Sequence, residues 1–197
     1  MSVEAEEGRT EIGAAPRAKT VEPGGWLAIV VRDVRLLLTA LWLGGAVFFS
    51  ATVAPSAFGV LRARNVPSAN EAAGSIVTRT LSVVNTSGFI IALLLLASAF
   101  LFRRGTKRRA MLAEIVSLAL LAICAGIGQW IIAARMIALR AAMGRPIDDV
   151  AADNPLRVSF NNLHGYSVAA LSVGVIAAAV ALLLIARREK QTPDVKP

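Results

Sequence analysis

The short run Asn161-Asn162-Leu163-His164-Gly165-Tyr166-Ser167 gathers the only histidine of the chain with four other hydrogen-bonding side chains, inside otherwise apolar sequence. An imidazole among amides and hydroxyls can accept a proton, bind a solute or ligate a metal. Two further polar interruptions stand out: Asn85 with Thr86 and Ser87, and Gln129 followed by Arg135. The usual catalytic constellations are excluded. One histidine and one cysteine cannot build an HExxH zinc site or a CxxC redox pair, and no glycine-rich phosphate loop follows a strand pattern. Copper(I) would draw on Met111, Met136, Met143, Cys124 and His164. Only Met136 and Met143, two helical turns apart, approach a ligand spacing, and packing explains that spacing equally well. Two-histidine haem ligation would need a second chain. The chain therefore reads as a non-enzyme with no cofactor and no metal, and Cys124 as a small apolar residue.

The elements that must carry these residues are four stretches free of Asp, Glu, Lys and Arg: 36–61, 80–102, 115–134 and 158–186. Each has 20 residues or more. A helix rising about 1.5 Å per residue needs roughly 20 to cross hydrocarbon. A water-facing helix would keep a charged stripe, and none exists. The expected fold is all-α, an integral membrane four-helix bundle, with 56% of residues apolar and 17% charged. The net charge of +8 flanks the spans rather than forming a patch for nucleic acid, so the partners it implies are the lipid bilayer and anionic lipid head groups.

Basic residues are retained on the cytoplasmic side. Fourteen Lys and Arg lie on the N-terminal, middle and C-terminal segments and seven on the other two connections, which predicts both termini cytoplasmic. Residues 1–25 and 188–197 read as disordered cytoplasmic tails around a four-span domain over 26–187, and the first span as an uncleaved anchor in the inner membrane of a bacterium. In that orientation Asn85, Gln129, Arg135, Asn161 and His164 converge in the outer third of the bilayer, either as interhelical hydrogen bonds or as an outward-facing polar pocket around His164. No carboxylate lies in the four stretches, so proton coupling would fall to His164.

Gly44 and Gly45 in the first span and Gly126 and Gly128 in the third let backbones approach closely in lipid, and are expected to form helix contacts. They also suit self-association or assembly with other membrane proteins. Pro55 removes a backbone donor and crowds the carbonyl of Ala51, which predicts a kink. The third helix should outrun the membrane to Met143, capped by Gly144. The fourth should start at Pro155 with Asp153 or Asn154 as its cap.

Trp42-Leu43-Gly44-Gly45-Ala46-Val47-Phe48-Phe49 followed by Ala54-Pro55-Ser56-Ala57-Phe58 resembles the first helix of the transmembrane-protein-205-like family, domain of unknown function 4149. Ala134-Arg135 with Leu139 and Ala142, then Leu156-Arg157, Phe160 and His164-Gly165 with Ser167, resemble that family's later helices over about residues 30 to 187. Met136 stands where the pattern has an aromatic residue. The resemblance implies a small multi-pass membrane protein with Arg135, Phe160 and His164 as a coupled outer cluster. The Trp-x-Gly-Gly helix alone also resembles copper-resistance membrane domains and the four-helix oxidases of haem synthesis, both richer in histidine.

Overall fold

The computed structural model of the chain describes residues 23–101 and 108–187, with side chains from Trp26 onward. The tails expected over 1–25 and 188–197 lie outside the described residues, except that helix already begins at Pro23 and Arg187 ends the description. Four helical rods run antiparallel, each long and apolar enough to cross a membrane. The first is α1 (Pro23–Phe48), a π-helical turn over Phe49–Val53, and α2 (Ala54–Ala63). The second is α3 (Ala69–Leu101). The third is α4 (Arg108–Gly126), a π-helical stretch over Ile127–Ala133, and α5 (Ala134–Met143). A single 3-10 turn over Ile147–Asp149 leads to α6 (Pro155–Ala186). Among the described residues there is no strand.

The chain is a multi-pass membrane protein, as its outer surface makes plain. Leu37, Leu41, Leu101 and Ile176 are 64–77% exposed, and only 22–33% of the most apolar window of each rod is buried. Such an area of exposed hydrocarbon is stable against lipid, not water.

Local chemistry sets the rod ends and breaks. Pro55 lacks an N–H, and its ring would crowd the carbonyl one turn earlier. The helix widens before it, with the N–H of Ala54 bonding the carbonyl of Phe49, five residues back. A wide turn is how the rod absorbs the proline. Gly144 closes α5 in the left-handed conformation at φ 63°, and Asn154 caps α6 by accepting the Leu156 N–H at 2.9 Å ahead of Pro155. Of the two caps the sequence left open for α6, Asn154 is therefore the one used.

The core is built on alanine more than glycine. Ala46, Ala92, Ala122, Ala177, Ala178 and Ala181 are at most 6% exposed and let α1, α3, α4 and α6 close on one another. Trp42 is the large residue among them. Its indole donates to the carbonyl of Val84 at 2.9 Å, and a Cβ at Gly88 would lie 2.6 Å from the indole nitrogen. Gly88 therefore makes room for the one buried tryptophan.

Within the chain the glycines of the first and third rods differ in what they touch. Gly44 and Gly45 are exposed, with nothing within 4 Å of an added Cβ, because Trp42 and Ala46 turn the buried face of α1 away from them. Gly126 makes ordinary contact with Phe89 at 3.5 Å, and Gly128 lies tightly against the Asn85 amide at 3.1 Å.

Candidate functional site

Polar chemistry concentrates at two levels of the bundle. The connections α2–α3 and α5–α6 define the distal end; α1 starts, α3 ends and α4 starts at the terminal end.

At the distal end a cleft of about 430 Å³ opens between α2, α3, α5 and α6. Its basic residues come from three elements: Arg62 at the end of α2, Arg140 in α5 and Arg157 in the first turns of α6. Arg62 Nε donates to Asn70 Oδ1 at 2.8 Å, and its guanidinium stands 5.5 Å from the Phe58 ring centre. Arg140 pairs with Glu71 at 3.3 Å and stands 5.1 Å from the Phe160 ring centre. It lies across Gly74, in the space a Cβ would fill. Arg157 donates to the carbonyl of Val150.

The wall of the cleft is tied down by carboxylates just behind it. Asp148 accepts the Glu71 N–H at 3.0 Å and the Asn70 amide, while Glu71 accepts the Ile147 N–H at 3.2 Å. Partial burial pushes the Asp148 carboxyl up. The hydrogen bonds from the Glu71 N–H and from Asn70 outweigh that and hold it below the usual carboxylate range.

Beneath the cleft lies a chamber of about 300 Å³ lined by all four rods. The two spaces share Phe58, Val77, Thr78, Met136 and His164 in their walls, so they adjoin. Both π-helical stretches contribute to the chamber, through Phe49 and Ser50 on one side and Gln129 and Ala133 on the other. Gln129 donates to Ser82 Oγ at 2.9 Å, while its Oε1 is buried with no hydrogen-bond partner. Leaving a buried acceptor unmet costs about 1–3 kcal/mol.

Of the five polar residues singled out in the sequence, Asn85 and Gln129 line the chamber, Asn161 lines the cleft and His164 lines both. Arg135 does not join them. It is exposed and lines neither space, because the five positions to Arg140 carry a side chain about 140° around the helix at 3.6 residues per turn. Arg140, not Arg135, reaches Phe160. Pro55 lines the chamber beside the wide turn that accommodates it. Among the described residues no three of His, Cys, Asp and Glu gather as a metal site.

The terminal half holds a feature that reading the charge-free stretches alone misses. Glu114, 0% exposed, pairs with Arg35, 5% exposed, and Arg35 also donates to the carbonyl of Leu95 at 3.4 Å. The expectation of no carboxylate within the spans is thus corrected. The helices extend past their charge-free portions, and Glu114 lies about 9 Å inside the start of α4 at 1.5 Å per residue. A signal was present: Glu114 shares its face with Ser117, Leu118, Leu121, Ala122 and Ala125, the buried residues of α4. Arg35 shares its own with Thr39, Trp42, Ala46 and Phe49.

A family model described as "Domain of unknown function (DUF4149)" matches residues 37–145, more than half of the chain. No curated protein and no solved structure matches.

Proposed function

The chain belongs to the DUF4149 family, and from that premise we propose that it is a transport or resistance component of the inner membrane, taking a solute into the chamber from the outer side. The observation that supports this is the pairing of an open, arginine-lined cleft with an adjoining chamber that Asn85, Gln129 and His164 line together. The excess of Lys and Arg on the segments at the terminal end supports a cytoplasmic placement for that end, which turns the cleft outward. His164 stands where cleft and chamber meet, in reach of whatever passes between them.

A second reading rests on one observation. Gly44 and Gly45 face outward with open space around them, beside Leu41 and Phe48, and so suit a helix of another membrane protein or of a second copy. The two readings part in a complementation assay on a strain lacking the gene, scored under membrane-active compounds at equal membrane levels of each variant. A solute-handling chamber requires His164→Ala and Gln129→Leu to lose complementation and Gly44→Leu to retain it. The assembly reading requires the opposite pattern.

A further inference from the structure

The cleft is one-sided in charge. Arg62, Arg140, Arg157 and His164 line it, and no Asp or Glu does. Arg140 is matched by Glu71, whereas Arg62 and Arg157 meet neutral acceptors, Asn70 Oδ1 and the Val150 carbonyl. Among the described residues neither has a carboxylate partner. With Glu71 beside Arg140 and Asp148 behind Asn70, the mouth keeps a net positive charge carried by Arg62 and Arg157, whose planar forks match the oxygens of a phosphate or carboxylate.

The chamber behind has a different character. Phe49, Leu81, Val168 and Leu171 give it an apolar wall. Read from mouth to depth, the space is cationic and then apolar. The geometry points to an amphipathic anion as its occupant: a single-chain molecule whose phosphate or carboxylate head lies between Arg62 and Arg157 and whose alkyl body fills the chamber. This rests on the reading that the chamber takes a ligand, and names that ligand's chemistry. Arg140 acts as a positioning residue, held in place by Glu71 and the Phe160 ring above the open backbone at Gly74.

A generic attraction between surface arginines and anionic lipid is the competing explanation, and Arg135 separates the two. It is exposed like Arg62 but lines neither space. The full chain, held in a bulky steroid-based neutral detergent, is titrated by calorimetry with dodecyl phosphate, dodecanol and inorganic phosphate. Dodecyl phosphate should saturate a single site. The Arg62→Gln/Arg157→Gln variant and, separately, the chamber-filling Leu81→Trp variant should each weaken it by about tenfold or more, while Arg135→Gln stays within about twofold.

Equal binding of dodecanol overturns the anionic head, and equal binding of inorganic phosphate overturns the alkyl body. A loss with Arg135→Gln matching that with Arg62→Gln/Arg157→Gln overturns the cleft as the site, as does the absence of saturable binding. If added lysophosphatidylglycerol, which carries one acyl chain, displaces dodecyl phosphate, the occupant's source is a membrane lipid; if it does not, the source is a free amphiphile. Both results uphold the class. Failure of all amphiphiles while His164→Ala and Gln129→Leu still abolish complementation would remove this inference alone, and intact complementation by both variants would remove the underlying reading.

Discussion

In the terminal half of the bundle Arg35 and Glu114 face each other among tightly packed side chains and line neither the cleft nor the chamber, while at the distal end Arg62, Arg140 and Arg157 stand around open space. Both regions place arginine inside or beside the membrane. The first cancels it with a fully buried carboxylate, so the charge serves the fold. The second leaves part of it unmatched, so the charge is available to something else. A buried pair is costly to break and contributes little net stability when whole, whereas half-exposed charges cost little to change and matter through what they attract.

The sharpest way to break the contrast is at the pair. Glu114→Ala should cost about 3–5 kcal/mol, since it strands the Arg35 guanidinium, and the double variant Arg35→Met/Glu114→Leu should recover most of that loss. Thermal unfolding of the purified protein in detergent reads both. No recovery in the double variant would mean that the pair does more than satisfy itself.

Packing provides the next largest effect. Gly88→Ala should cost about 1–3 kcal/mol by driving a methyl into the Trp42 indole, while Gly44→Ala and Gly45→Ala should stay within about 0.5 kcal/mol because nothing lies near them. At the distal end Arg140→Gln should cost about 1 kcal/mol or less, since its partner Glu71 is partly solvated.

The smallest expected effect is a pH dependence at the wall of the cleft. A carboxyl held below its unfolded value contributes stability that is present above the unfolded value and lost as pH falls through the folded one. The Asp148 contribution should therefore begin to fade as pH falls into the ordinary carboxylate range and be lost below the folded value, and Asp148→Asn should flatten that limb of the melting temperature against pH.

Much of the architecture was legible because hydrocarbon imposes so few solutions. Length and absence of charge located all four rods, and turn chemistry placed Gly144 and Asn154 at their ends. Antiparallel helices alone lead one to expect the polar residues of the spans near one end of the bundle, where Asn85, Gln129 and His164 line the chamber and Asn161 the adjoining cleft. What was not legible depended on azimuth. Arg135 and Arg140 occupy one helix at similar depth, and only rotation about its axis decides which reaches the cleft. Gly44 and Gly88 are equally small, but only the second faces a tryptophan. Glu114 was missed because a search for charge-free stretches ends where charge begins, although the helix and its buried face continue.

The contrast between a packed half and a hollow half is tested most directly by two thiols in the Cys124→Ala background, Leu81→Cys in the chamber wall and Leu118→Cys in the terminal core, exposed in intact cells to a membrane-impermeant maleimide. Leu81→Cys should be modified rapidly and Leu118→Cys, at a site 0% exposed, not at all. Equal protection of both, or labelling of Leu118→Cys alone, would contradict an outward-opening cavity above a closed, charge-paired core.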